Sequence, residues 1–158
     1  MMIRKFDAEV HLEGLRACII ELQDFERAFD ARMPVGVDIV DEYTRYMLER
    51  CRRSDGTVLV ALSGDDVAGF ATVLTRVTSK SPDDGEFEYG LVSDLVVAER
   101  FRGQGIGRML IAEAERHARA CNVKWLRIGV LADNLAADGL YESMGFRRLY
   151  VEREKTLR

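Results

Sequence analysis

Metal and disulfide chemistry have little to work with in this chain. Of its 158 residues only two are histidine, His11 and His117, and only three are cysteine, Cys18, Cys51 and Cys121. The cysteines are odd in number, far apart and in no C-x-x-C pair, so they read as packing thiols rather than as a disulfide framework or a zinc site. Neither histidine reads as a ligand, and no metal is expected. Proline is scarce too, with two residues against 47% hydrophobic and 32% charged, a balance that leaves no room for a disordered tail. No apolar run approaches the roughly 18 residues of a membrane span, and Met1 to Val10 carries charge where a signal peptide would be apolar. No membrane partner and a cytoplasmic location are the expectation. There is no excess of positive charge, the net being −4, so the clustered basic face that binds nucleic acid is not foreseen and a cationic small substrate is favoured.

What is present suits one domain over residues 1–158, since a chain of this length matches roughly one domain of about 150 residues and buries about two-thirds of its unfolded surface. Ile3 to Phe6 reads as a strand. Glu9 to Phe29 carries apolar residues at Val10, Leu12, Leu15, Ile19, Leu22, Phe25 and Phe29, which is helical spacing. Pro34 and Gly36 interrupt it, and Asp38 is the expected cap of a second amphipathic helix carrying Val40, Tyr43, Tyr46, Met47 and Leu48. Thr57 to Leu62 and Val67 to Thr78 form a hairpin around Ser63-Gly64-Asp65-Asp66. Glu86 to Val97 reads as a long strand whose end, Leu95-Val96-Val97, is expected to be buried on both faces. A helix from Ile106, a strand over Trp125 to Leu131, a helix over Leu135 to Met144 behind an Asp133-Asn134 cap, and a last strand over Phe146 to Glu152 complete the order. The whole is an α/β layer with a central sheet of mixed direction.

Between the long strand and the next helix lies Arg102-Gly103-Gln104-Gly105-Ile106-Gly107, followed by Arg108. Glycines at alternate positions let successive N–H groups converge on a phosphate at the positive end of the helix. Two familiar phosphate loops are excluded by spacing. The dinucleotide fingerprint needs glycine where Arg108 or Leu110 stands, and the Walker loop needs Gly-Lys-Ser/Thr where the chain reads Gly107-Arg108-Met109. NAD, FAD and nucleotide hydrolysis are set aside.

With these residues in view the chain resembles the GCN5-related N-acetyltransferase (GNAT) family, across nearly its whole length and in element order. The match rests on the Gln/Arg-x-x-Gly-x-Gly/Ala signature at Arg102 to Gly107, directly after Asp94-Leu95-Val96-Val97, and on Asn134 followed seven residues later by Tyr141. The resemblance implies a mixed, mostly antiparallel sheet flanked by helices, with a splayed strand pair at the cofactor site. It implies acetyl-CoA as cosubstrate, its pyrophosphate on Arg102, Gly103, Gln104, Gly105, Ile106, Gly107 and Arg108, and its pantetheine along the main chain of Leu95, Val96 and Val97. Asn134 then either contacts the cofactor or caps its helix, and Tyr141 is the general acid that protonates the departing thiolate. A phenol suits that task because its pKa of about 10 exceeds the roughly 8.5 of a thiol.

The base is where this sequence departs from the family pattern. The two places at which relatives carry a glutamate hold Gly129 and Ser93. Asp94, and Glu86 and Glu88 at the start of the strand, are the remaining candidates, with water as a relay. The acidic stretch from Glu21 to Met47 is expected to wall the acceptor site. The function that follows is acetyl transfer to a primary amine on a small molecule or peptide, by direct attack in a ternary complex, with a homodimer implied by the resemblance. The competing function is a catalytically silent acyl-CoA-binding sensor or interaction module, for which the glycine loop would look the same.

Overall fold

A computed structural model describes residues 1–79 and 81–158. Nine main elements follow one another as β1 (Met2–Lys5), α1 (Ala8–Glu26), α2 (Gly36–Arg53), β2 (Thr57–Ser63), β3 (Asp66–Thr78), β4 (Glu88–Val97), α3 (Ile106–Ala120), β5 (Leu126–Ile128) and α4 (Leu135–Ser143). The five strands form one sheet in the order β1-β2-β3-β4-β5. The first four are antiparallel to their neighbours and β5 is parallel to β4.

Alternation along the strands sends side chains to two separate cores. On one face Leu15, Cys18 and Ile19 of α1 and Val40, Met47 and Cys51 of α2 pack on Val58, Val60, Phe70, Leu74 and Val96. On the other, Ile106, Leu110 and Ala114 of α3 pack on Leu59, Ala61, Ala71, Val73 and Val92. The sheet is therefore covered on both faces, which is why its strands are apolar at successive positions.

The helix phases differ from the sequence expectation in instructive ways. In α1 the buried residues are His11, Leu15, Cys18 and Ile19, while Val10 is 73% exposed. Asp7 sets this phase by accepting from Glu9 N–H at 2.9 Å, and His11 Nδ1 accepts from Asp7 N–H at 2.9 Å. The expected cap Asp38 lies inside the first turn of α2. The N–H of Gly36 is met instead by Asp24 Oδ1 of α1, at 2.8 Å, so a side chain from the neighbouring helix does the capping. Cys18 and Cys51 are buried, with thiols pushed up to about 12 and about 11 chiefly by that burial. Cys121 is exposed, its Sγ 3.8 Å from His117 Nε2 at the end of α3.

The expected last strand is absent: residues 146–152 carry no regular structure, and Leu149, Tyr150 and Val151 are exposed. Among the described residues the strand at that side of the sheet, β5, is three residues long and pairs with β4 alone, and residues 146–152 add no ladder to it. The tail is fastened by side chains. Phe146 packs edge-on against Tyr141, and Arg32 binds Glu154 through two hydrogen bonds of 2.8 and 3.0 Å.

Candidate active site

The site begins with a pairing that stops early. The parallel ladder joins only Gly90, Leu91 and Val92 of β4 to Leu126, Arg127 and Ile128 of β5. Beyond Val92, β4 continues to Val97 with no β5 partner among the described residues, so its main chain on that side is left without a ladder. A bulge in the β3–β4 pairing falls at the same place: Thr72 opposes Asp94 and Val73 opposes Val92, leaving Ser93 as the extra residue. A bulge switches which side chains point up. Val92 packs with α3, whereas Asp94 and Val96 turn to the α1 and α2 face. Leu95 and Val97 are only partly buried, on the α3 side, rather than buried on both faces. The open side of β4 leaves them that exposure.

The glycine loop follows shortly after this unpaired stretch, between β4 and α3. Gly103 and Gly105 have φ of +76° and +79°, left-handed values that L side chains rarely adopt. Gly105 is the N-cap of α3 and offers no side chain to its N–H groups. Met109 N–H bonds Gly105 O at 3.1 Å, so the N–H groups before it in the helix belong to the unpaired first turn and are available to an anion. Gly107 faces α4, where a Cβ would meet Leu140 Cδ2 at 3.2 Å. Gln104 is exposed and Ile106 is buried beneath the loop. Arg102 donates Nε–H to Val97 O at 3.1 Å and lies 5.0 Å over the Phe25 ring, which uses one of its five N–H donors. Arg108 donates to Ser143 Oγ at 2.8 Å, tying the start of α3 to the end of α4.

Asn134 caps α4, its Oδ1 accepting from Ala137 N–H at 3.2 Å. Two turns along that helix Tyr141 is 8% exposed. Burial, with a contribution from the charge of Glu26, pushes its phenol up to about 12.

The carboxylates divide by position. Glu88 is exposed at the far end of β4, paired with Arg76 at 3.3 Å, and about 20 Å along the strand from Asp94 at 3.3 Å per residue. Glu86 is exposed in the bend before it. The structure therefore does not bring these two to the glycine loop. Asp94 is 5% exposed, at the bulge. The Tyr43 hydroxyl donates to its Oδ1 and Ser93 Oγ–H to its Oδ2 at 2.8 Å. Burial, and then the neighbouring Asp94 charge, raises the Tyr43 phenol above its ordinary value. Glu26, the last residue of α1, is half-buried, and burial followed by the charge of Asp94 raises its carboxyl above the ordinary range. From the sequence Tyr43 is expected only as an apolar-face residue of α2, and Glu26 only as one of several carboxylates in the stretch expected to wall the acceptor site, so neither has an assigned role in the site there.

One helical turn beyond Glu26, where Asp30 N–H bonds Glu26 O at 3.2 Å, a cavity of about 450 Å³ opens. Phe29, Asp30, Arg32, Leu131, Asp133 and Glu154 are among its lining residues. Arg32 is held between Asp30 and Glu154, a pairing that draws Asp30 down to about 2 and Glu154 below its usual value.

Residues 22–146 match the acetyltransferase (GNAT) family. Among curated proteins, a mycothiol acetyltransferase of Nocardiopsis dassonvillei is 32% identical over 120 residues, covering 76% of this chain and 36% of that protein. The uncharacterized N-acetyltransferase YobR of Bacillus subtilis is 37% identical over 73 residues, 46% of this chain and 28% of its own. The chain thus spans about a third of the length of these relatives. Among solved structures, a tetramutant of the BH1408 protein of Bacillus halodurans superposes with a TM-score of 0.84 at 19% identity, covering 99% of this chain and all of that one. Glucosamine-6-phosphate N-acetyltransferase of Arabidopsis thaliana superposes at 0.68 with 18% identity, over 99% and 98% of the two chains.

Proposed function

The chain belongs to the GNAT family of acetyltransferases, and from that premise we propose that it moves the acetyl group of acetyl-CoA to a primary amine by direct attack within a ternary complex. The observation that carries this reading is the unpaired main chain of β4 beyond Val92 running into the anion-ready loop Gly103 to Gly107, with α4, the helix that holds the buried Tyr141, set against that loop through Leu140 and Ser143.

Each part has a task in that reaction. The pyrophosphate sits on the N–H groups of the glycine loop, with Arg102 and Arg108 beside it. The pantetheine arm adds to the open side of β4 as a further strand would, through the main chain of Leu95, Val96 and Val97. An N–H of that segment meets the thioester oxygen, where negative charge grows as the amine attacks, and a fixed dipole there needs no reorganisation. Tyr141 gives its proton to the leaving thiolate. Its value near 12 keeps it protonated at neutral pH, so the hydroxyl is present as a donor, hydrogen-bonding the sulfur as negative charge develops there and giving up its proton as the thiolate departs. The acceptor enters from the cavity beside Asp30 and Asp133, and its ammonium group meets the carboxylates of Glu26 and Asp94.

We read residues 1–158 as one acetyltransferase domain working in the cytoplasm; no helix among the described residues is long and apolar enough to cross a membrane. For the homodimer, the exposed Trp125, Leu149, Tyr150 and Val151 supply apolar surface. The test of the function is release of free CoA thiol from acetyl-CoA against a panel of a diamine, an amino sugar, an amino acid and a lysine-bearing peptide. Release that depends on one of these amines supports the transferase. Tight acetyl-CoA binding with no release would leave the silent sensor in its place.

A further inference from the structure

We propose that Glu26 is the carboxylate that takes the proton from the acceptor's ammonium group, and that Asp94, held by Tyr43 and Ser93, is the fixed negative charge beside it. This rests on the acetyltransferase reading above and names the base that the sequence left open.

Position comes first. Glu21 Oε2 accepts from Glu99 N–H at 2.8 Å, and Phe25 lies under the Arg102 guanidinium at 5.0 Å. The last turns of α1 are thereby fastened to the segment that leads from β4 into the glycine loop. Glu26 follows Phe25 and projects about 100° round the helix from it. Half-buried there, its charge is felt by Tyr43 of α2 and Tyr141 of α4, and it feels that of Asp94 of β4. Among the described residues Arg102 is the guanidinium stacked on an aromatic ring at this end of α1, and Asp30 stands one turn further on.

The two carboxylates are equipped differently. Both oxygens of Asp94 already accept a hydroxyl hydrogen bond, from Tyr43 and from Ser93, and the side chain is 95% out of solvent. Glu26 accepts no side-chain hydrogen bond among the described residues and stands at the border of solvent, where it takes up a proton and later releases it. Burial and the Asp94 charge both make it more basic than an ordinary glutamate, which suits a base working near neutral pH.

The step balances as follows. The ammonium gives one proton to Glu26 and becomes a free amine. Its nitrogen attacks the acetyl carbon, the carbon–sulfur bond breaks, and the electron pair leaves on sulfur. Tyr141 protonates that sulfur and regains a proton from the nitrogen, which has become an amide. Glu26 returns its proton to water, so one proton is released per acetyl group transferred.

The experiment compares wild-type chain, Glu26→Gln, Glu26→Asp and Asp94→Asn, following thiol release against pH with the best amine of the panel and acetyl-CoA affinity in parallel. For Glu26→Gln the expected result is a fall in kcat of about 100-fold near neutral pH, loss of the acid limb, recovery toward wild type as pH nears the amine's own pKa, and acetyl-CoA affinity within twofold. Glu26→Asp is expected to keep the acid limb at reduced rate, which decides the matter should the glutamine variant fold poorly. Asp94→Asn is expected to keep the limb but move it to lower pH, since the charge that raises Glu26 is gone. An acid limb and kcat unchanged in Glu26→Gln, or a limb unmoved by Asp94→Asn, overturns the assignment while leaving the transferase reading intact. No amine-dependent release by the wild-type chain overturns both.

Discussion

A phenol that holds its proton to about pH 12 donates throughout the range in which a protein works, so Tyr141 is argued as a proton donor and not as a base. Tyr141→Phe keeps the ring and its edge-on contact with Phe146 and removes only the hydroxyl. Its expected outcome is a kcat lower by about 100-fold, the lower part of what a placed proton donor contributes, with acetyl-CoA affinity within twofold; an unchanged kcat removes the acid role. The same phenol has a stability signature. Its folded value lies above the unfolded reference of about 10, so the folded chain keeps the proton longer, and the contribution is full below pH 10 and lost as pH rises through 12. Urea midpoints of wild type and Tyr141→Phe should therefore converge between those values. Tyr141 is proposed from the sequence because Asn134 stands seven residues before it and the glycine loop stands upstream. Glu26 and Tyr43 are not: one lies in an acidic run that resembles any solvated helix face, the other in an apolar helical stripe that resembles any core. Only the packing of α1 and α2 over the bulge at Ser93 gives them their neighbours.

Among elements, the strand pair β3–β4 is the most tightly constrained. A Cβ on Gly69 would stand 2.4 Å from Val96 O, closer than any side chain tolerates, and the atom it meets is backbone. Gly69→Ala is expected to push β4 away from β3 and to destabilise by about 1–3 kcal/mol, as overpacking of a well-filled core does, read as a lower denaturant midpoint; a midpoint unchanged from wild type contradicts this account of the pair. The glycine loop answers to a different probe. At Gly105 an alanine meets no neighbour within 4 Å but must hold φ near +79°, at a cost of about 1–2 kcal/mol for an L residue. Binding then has to reimpose that conformation, so acetyl-CoA affinity should fall about tenfold in Gly105→Ala, as a change of 1.4 kcal/mol implies. The periodicities of 3.6 and 2 located nearly every helix and strand, because burial on both faces of the sheet writes itself into the sequence. They did not locate the cap of α2, which is a side chain 12 residues away on α1, nor the lack of a strand over residues 146–152, which depends on whether a neighbour is there to pair.

At the scale of the molecule, one guanidinium ties distant parts together: Arg32 joins the loop between α1 and α2 to Glu154, 122 residues away. The pair is exposed on both sides and adds little to stability, yet together with the Phe146 contact and the Arg148–Asp138 ion pair it fastens the tail, and Glu154 lines the cavity beside Asp133. Arg32→Ala should leave the thermal midpoint nearly unchanged and speed tryptic cleavage at Arg153 and Lys155 several-fold; equal cleavage rates would show the tail to be held otherwise. The same loosening is expected in acid, because Asp30 and Glu154 hold their charge below the ordinary carboxylate range and give up the pairing only as pH falls through their lowered values, about 2 for Asp30. Under the proposed function, the unpaired end of β4, the glycine loop and the carboxylates Glu26 and Asp94 bring two substrates together before any bond changes. Initial rates of thiol release, with acetyl-CoA and the acceptor amine varied together, test this most directly. Amine-dependent rates whose double-reciprocal lines intersect are the expected result. Bound acetyl-CoA without amine-dependent release, or parallel lines marking an acetylated enzyme, would contradict it.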